Sequence, residues 1–281
     1  MDCFRPFSLP GRGLVPCGKC VACLLRRQQD WLVRLSCEAR ASTAVHFITL
    51  TYNDGCVPRG SFEASPFMVL RKMHVQSFLK RLRSYIEPNR IRYFAVGEYG
   101  SKSHRPHYHL ILFNWPRGFD LWALVNKAWT YGFTDVKVCD DGHFAYVAKY
   151  VTYTMDLPKI LKKKEYKPFS LSSRRPAIGS SYLSDAKVNY HRNTLNTTVR
   201  LEGFTYALPR YYKEKIFDDD MKESIRERVD DYRLSKLKND GYFLSKETSV
   251  RALADSIKYR EDYKFEVERR LKAKINKSSK I

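Results

Sequence analysis

Along this chain the spacing of apolar residues changes several times, and each change marks an element. Residues 44–52, AVHFITLTY, are dense in β-branched and aromatic side chains and stop at Asn53-Asp54-Gly55. That pattern predicts a strand running into a turn. Between residues 71 and 86 the period lengthens: Val75, Phe78, Leu79, Leu82 and Ile86 recur at helical intervals, with Lys and Arg on the opposite face. IRYFAVGEYG (91–100) and HYHLILFNW (107–115) return to strand character, and their short connection predicts an antiparallel hairpin. FDLWALVNKAW then reads as helix, GFTDVKV as strand and HFAYVAKYVTYT as helix. The order β-α-β-β-α-β-α predicts an α+β fold, a central antiparallel β-sheet with helices packed on one face.

The flanks differ from this middle. VPCGKCVACLLRRQQDWLVRLSCEAR begins as a Pro/Gly/Cys-rich knuckle and becomes a helix with Leu24, Trp31 and Leu35 on one stripe. From about 157 to 210 the chain is rich in Lys, Pro and Ser, followed by two further strand patterns. Beyond 216 the charges are mixed. Met221, Ile225, Val229 and Tyr232 mark one amphipathic helix stopped at Asn239-Asp240-Gly241, and Val250, Leu253 and Ile257 mark another. The expected division is a Cys knuckle with a basic helix at 1–42, the α+β domain at 43–212 and a charged helical C-terminal extension at 213–281.

Composition narrows the function. The 281 residues are 43% hydrophobic and carry a formal charge of +21, most of it before residue 217. Such an excess predicts a polyanionic partner, nucleic acid first and an anionic membrane surface second. The opening residues hold no apolar secretory h-region, and no run of eighteen apolar residues predicts a membrane span. Seven cysteines, an odd number, with no export signal point to a reducing cytosol without disulfides.

Candidate chemistry enters with HRPHYHLILF, residues 104–113. A strand turns residues i and i+2 to one face, so His107 and His109 point the same way, about 7 Å apart by strand pitch, with Tyr108 opposite. If the 91–99 and 107–115 strands pair, Glu98 falls beside His107. Two imidazoles and a carboxylate with open positions make a catalytic type of metal site; the competing reading is an amphipathic strand with surface or core histidines. In YVAKY, residues 146–150, a helix sets Tyr146 and Tyr150 one turn apart with Lys149 beside them. Paired phenols beside a lysine suit nucleophilic attack on a phosphodiester; the alternative is an aromatic stripe packed on the sheet.

HFITLTY, then GEYG with RPHYHLILF, then YVAKYV resemble the three motifs of the HUH endonucleases. Their order, with PCGKCVACLLRRQQDW, SSRRPAIGSSYL and LPRYYK, resembles the replication initiation proteins of the Microviridae, especially the gokushovirus-like branch, over roughly residues 15–212. The resemblance implies an HUH, RRM/ferredoxin-like sheet and a metal-dependent rolling-circle nickase acting in the host cytoplasm. His107 and His109 would be the HUH pair, Glu98 the third ligand to Mg²⁺ or Mn²⁺, and Tyr146 and Tyr150 the two nucleophiles, with Lys149 between them. Single-stranded origin DNA and host replication proteins are the implied partners. Where the related sequences carry a lysine three residues after the second tyrosine, this chain has Tyr153, a third phenol ranked behind the other two. An HUH transposase, a plasmid relaxase and a non-catalytic zinc-knuckle nucleic-acid-binding module are the competing readings.

Cys17-x-x-Cys20-x-x-Cys23 has metal-ligand spacing and forms a candidate Zn²⁺ knuckle, with Cys3 and Cys37 both open as the fourth ligand. Arg26, Arg27 and Arg34 on the following helix, and Lys80 and Arg83 on the 71–86 helix, are candidate phosphate contacts; Lys72, Arg81 and the run Lys162 to Lys164 add to the basic surface. Each run also fits a solvated face. His46, His104 and His143 read as bystanders or outer partners.

Overall fold

A computed structural model describes residues 3–10, 13–62, 65–100, 102–150 and 157–239, together with residues 265 and 269. In chain order the elements are β1 (Phe7–Leu9), β2 (Gly13–Val15), α1 (Val21–Arg40), β3 (Val45–Tyr52), β4 (Arg59–Phe62), β5 (Ser65–Met68), α2 (Lys72–Ser84), β6 (Arg92–Tyr99) and β7 (Pro106–Phe113). They continue with α3 (Leu121–Ala128), β8 (Gly132–Val138), α4 (Asp141–Tyr150), β9 (Phe169–Ser172), α5 (Asp185–Thr194), β10 (Thr198–Leu201), β11 (Phe204–Ala207), α6 (Arg210–Ile216) and α7 (Asp219–Asn239). They fall into two compact units, residues 1–26 with 188–197 and 210–281, and residues 27–187 with 198–209.

The second unit is built on a five-stranded sheet in the order β8-β3-β7-β6-β9, antiparallel at every junction. Its α+β architecture agrees with the sequence pattern, with one difference: both faces of the sheet are covered. On one face, Ile48, Leu50 and Tyr52 of β3 and Tyr108, Leu110 and Leu112 of β7 pack with Val75, Phe78, Leu79 and Leu82 of α2 and with Leu121 and Val125 of α3. On the other, Phe47, Phe94, Val96, Ile111 and Phe113 pack with Leu35 of α1 and with Phe144 and Val147 of α4. The reason lies in β7. Leu110-Ile111-Leu112-Phe113 does not alternate with polar residues, and a strand with an unbroken apolar run needs cover on both sides. Each such side chain contributes roughly 1.5–3 kcal/mol on burial, so both layers hold the central strand in place.

Tyr108 adds a polar anchor on the α2 side. Its hydroxyl accepts from the backbone N–H of Arg71 at 2.8 Å, just before α2, and lies 2.7 Å from the Tyr52 hydroxyl. At the sheet's outer edge, Gly132 has φ +158, and a Cβ there would meet the backbone of Asn53 and Thr51 at 2.4 Å. Only glycine lets β8 close onto the end of β3.

Elements without a strong apolar period went unread in the sequence: the hairpins β1–β2 and β4–β5, and the helices α5 and α6. The 157–210 region holds three short strands, β9, β10 and β11. In the first unit, α7 spans the 221–232 stripe and ends at Asn239 as the sequence predicted, although Val229 and Tyr232 are exposed and the helix carries the ion pairs Lys222–Asp219 and Arg226–Glu223. Tyr153 and the second predicted C-terminal helix lie outside the described residues. Among the described residues, no helix is long and apolar enough to cross a membrane.

Candidate metal and nucleophile site

Because Tyr108, Leu110 and Leu112 enter the α2 layer, His107 and His109 share the opposite face with Ile111 and Phe113. The β6–β7 register sets Glu98 directly opposite His107, and the β3–β7 register sets Thr49 opposite His109. The three candidate ligands converge. Glu98 Oε1 lies 2.6 Å from His107 Nε2 and 2.9 Å from His109 Nε2.

The other ring nitrogens explain why the two Nε2 atoms point inward. His107 Nδ1 donates to the carbonyl of Arg105 at 3.0 Å, and His109 Nδ1 lies 3.2 Å from Thr49 Oγ1. With Nδ1–H engaged, each Nε2 carries the lone pair, the tautomer a cation requires. Arg105 is itself fixed, donating to Tyr52 O at 2.6 Å and pairing with Asp54 at 2.7 Å. Phe47 stacks on His109 at 5.4 Å between ring centroids.

Electrostatics supports the same reading. Glu98 and His109 are 3% and 5% exposed, and a charge so deep needs partners. Burial pushes the Glu98 carboxyl up, but hydrogen bonds and charge from His107 and His109 outweigh it and hold it below the usual carboxylate range. Burial pushes His107 down, but Glu98 outweighs that and raises it, whereas burial dominates at His109 and lowers it. With no cation, the shared proton therefore belongs to His107. Two imidazoles and one carboxylate fit a divalent cation with open coordination positions, and binding would displace that proton.

Helix α4 covers this face. Asp140 caps it: its Oδ1 accepts from the His143 N–H at 3.1 Å, and His143 Nδ1 lies 2.7 Å from the same oxygen. From that start, Tyr146 and Tyr150 fall one turn apart, with ring centroids 4.9 Å from each other and 5.1 Å and 5.7 Å from the His109 ring. The Tyr146 hydroxyl is 3.4 Å from His109 Nε2. Burial raises the Tyr146 phenol, and the charge of Glu98 adds to the effect, so the oxygen is not ionised by its own surroundings. Lys149 is buried; burial lowers its ammonium, Glu98 opposes this, and its Nζ lies 5.7 Å from the Tyr150 ring.

All six predicted members of this cluster thus come together. Thr49, Arg105, Phe47 and Asp140 were missed. Arg105 sits in the quoted motif, but its role is carried by a backbone carbonyl, and Thr49 acts only through strand register. His104 occupies the β6–β7 turn at φ +51, and His46 faces the α2 layer with burial lowering its pKa; neither joins the ligand group. Arg26, Arg27 and Lys80 are exposed. Arg34 is engaged in packing: its Nε donates to Ile178 O at 3.1 Å and its guanidinium lies 4.3 Å from the Trp31 ring. Arg83 lies 5.1 Å from the Tyr93 ring. Cys17, Cys20 and Cys23 gather with Cys3. Cys37 is excluded, since it follows Cys23 by fourteen residues on the same helix, about 21 Å along the axis.

Residues 45–155 match the family described as replication-associated protein ORF2, and the interval includes all six clustered residues. The chain is similar to phage replication-associated proteins. It is 29% identical over 261 residues to replication-associated protein ORF4 of Chlamydia phage 1, covering 80% of this chain and 60% of that one. It is 28% identical to replication-associated protein ORF2 of Spiroplasma virus 4, covering 92% and 82%, and 26% identical to replication-associated protein VP4 of Bdellovibrio phage phiMH2K, covering 71% and 66%. The alignment thus spans about three fifths of the Chlamydia phage relative. These relatives bear out the resemblance to Microviridae replication proteins read from the motifs. The N-terminal nuclease domain of minute virus of mice non-structural protein 1 aligns over 59% of this chain and 83% of that chain at 10% identity, but a TM-score of 0.20 does not establish a shared fold.

Proposed function

We propose that this chain initiates phage DNA replication by nicking one strand of origin DNA through tyrosine attack and later rejoining it. The observation that carries this reading is the approach of a tyrosine hydroxyl, that of Tyr146, to 3.4 Å from a nitrogen of the Glu98/His107/His109 ligand cluster.

His107, His109 and Glu98 would hold Mg²⁺ or Mn²⁺. A bound divalent cation polarises the scissile phosphate as a Lewis acid. Tyr146 or Tyr150 attacks phosphorus: the Oη–P bond forms as the bond to the 3′ oxygen breaks, the phenolic proton leaves, and the 3′ oxygen takes up a proton. The products are a 5′-phosphotyrosine and a free 3′-OH able to prime a host polymerase. Lys149 offsets the charge developing on the phosphate. The ester conserves the phosphodiester's energy, so rejoining needs no nucleotide cofactor. The second tyrosine allows a regenerated origin to be cut while the 3′-OH attacks the first ester. The basic surface would track the DNA backbone, predicting affinity that falls steeply with salt.

The test is incubation with single-stranded origin DNA and Mn²⁺, followed by a denaturing gel. A covalent protein–DNA band is expected with wild type, a reduced band with Tyr146→Phe or Tyr150→Phe, and none with the double variant. A band surviving in the double variant sinks the assignment of these two nucleophiles. Bound but uncut DNA in wild type favours a binding module.

A further inference from the structure

The cluster outside this site is Cys3, Cys17, Cys20 and Cys23, whose four Sγ atoms all lie within 4.8 Å of one another. Cys3 Sγ is 3.8 Å from Cys20 Sγ, and Cys17 Sγ is 4.0 Å from Cys23 Sγ. A tetrahedron with metal–sulfur distances of about 2.3 Å has sulfurs about 3.8 Å apart. A disulfide draws one pair to about 2.05 Å and breaks this near-equal spacing.

Backbone amides around the sulfurs are a second observation. The Cys17 N–H donates to Cys3 Sγ at 3.2 Å, and the N–H groups of Lys19 and Cys20 reach Cys17 Sγ at 3.4 Å and 3.3 Å. Amides aimed at sulfur stabilise thiolate, the form a metal binds. Gly18 makes the turn at φ +70, which allows consecutive N–H groups to converge on one atom.

The third observation is a missing core. Every residue of β1 is exposed, and among the described residues no fully buried apolar side chain precedes Val21. A hairpin of two three-residue strands is not stable alone in water. Cys3 and Cys17 bracket this hairpin, while Cys20 and Cys23 belong to the start of α1.

We infer that Cys3, Cys17, Cys20 and Cys23 form a closed tetrathiolate zinc site, a clasp that fastens the β1–β2 hairpin to the start of α1. Four protein ligands leave no open position, so its role is structural and separate from phosphodiester chemistry. The ion takes the place of the absent core, closing a loop that side-chain burial does not close.

The test uses the full chain purified with reductant and without chelator, with zinc measured by mass spectrometry. About one zinc per chain is expected in wild type, in Cys37→Ser and in the double variant His107→Ala/His109→Ala, with at least a tenfold loss in Cys3→Ser and Cys20→Ser. Should either serine variant fail to fold, X-ray absorption on zinc-loaded His107→Ala/His109→Ala protein decides: four sulfur neighbours at about 2.3 Å are expected. No zinc in wild type, zinc retained by a folded Cys3→Ser, a nitrogen or oxygen neighbour in the spectrum, or disulfides among these four cysteines under reductant would each overturn the clasp. None of these outcomes depends on DNA cleavage.

Discussion

Two ligand clusters in this chain are built in opposite ways. Glu98, His107 and His109 stand on a five-stranded sheet whose two faces are both filled. Cys3, Cys17, Cys20 and Cys23 stand on a turn beside a hairpin that, among the described residues, buries no apolar side chain. In the first cluster the fold holds the ligands; in the second, by our inference, the ligands hold the fold. Ligand number agrees with the contrast: three side chains leave positions for a substrate, and four close the sphere. A metal in the first place is needed only for chemistry, while a metal in the second is part of local stability.

The contrast breaks most sharply under substitution of the histidines. His107→Ala/His109→Ala should lower covalent adduct formation by about 10²–10³-fold or more, the scale lost when a main electrostatic stabiliser goes. The far-ultraviolet circular dichroism and the protease resistance of residues 3–23 should stay as in wild type. A matching loss of structure would mean that the sheet, too, depends on its metal. Brief treatment with a chelator should reproduce this split, abolishing the adduct before the hairpin becomes protease-sensitive. If the hairpin opens first, the proposed order of lability is wrong.

Thr49→Val sharpens the comparison from the second rank of contacts. The hydroxyl lies 3.2 Å from His109 Nδ1 and fixes which nitrogen faces Glu98. Losing such a partner typically weakens a metal or an activity 10–100-fold, and valine keeps the β-branched shape suited to a strand. Titration of Mn²⁺ followed by adduct yield measures it. Affinity equal to wild type would show that Phe47 stacking alone orients the ring.

How much of this was legible follows from the same contrast. The strand and helix periods fixed the sheet, and the i, i+2 and i, i+4 spacings placed His107 with His109 and Tyr146 with Tyr150 before any coordinates. Glu98 needed one more step, the short β6–β7 turn, and the register agrees with it. Thr49 was out of reach because β3 and β7 meet sixty residues apart in the chain, through a pairing that local pattern does not encode. Cover on both faces was written in Leu110-Ile111-Leu112-Phe113, but an unbroken apolar run reads as easily for a strand edge as for a middle. At the Cys cluster the spacing named three sulfurs and left the fourth open between Cys3 and Cys37. The helix settled it by carrying Cys37 fourteen residues beyond Cys23.

The smallest expected effect concerns how α4 is aimed. The Asp140 carboxyl is held below its ordinary value, first by the His143 backbone N–H and then by the His143 side chain. A carboxyl with a depressed folded value contributes stability that is fully present above its unfolded value, near pH 4, and is lost as pH falls through the folded value. Asp140→Ala should therefore lower the melting temperature slightly at pH 7, with the difference from wild type shrinking below pH 4. Adduct yield at pH 7 should fall by a few-fold at most, because the cap sets where the helix starts and Phe144 and Val147 still seat it on the sheet. A loss as large as that of the histidine pair would instead make Asp140 or His143 a participant in the chemistry. A difference in melting temperature that persists unchanged to pH 3 would mean that the capping oxygen acts without its charge.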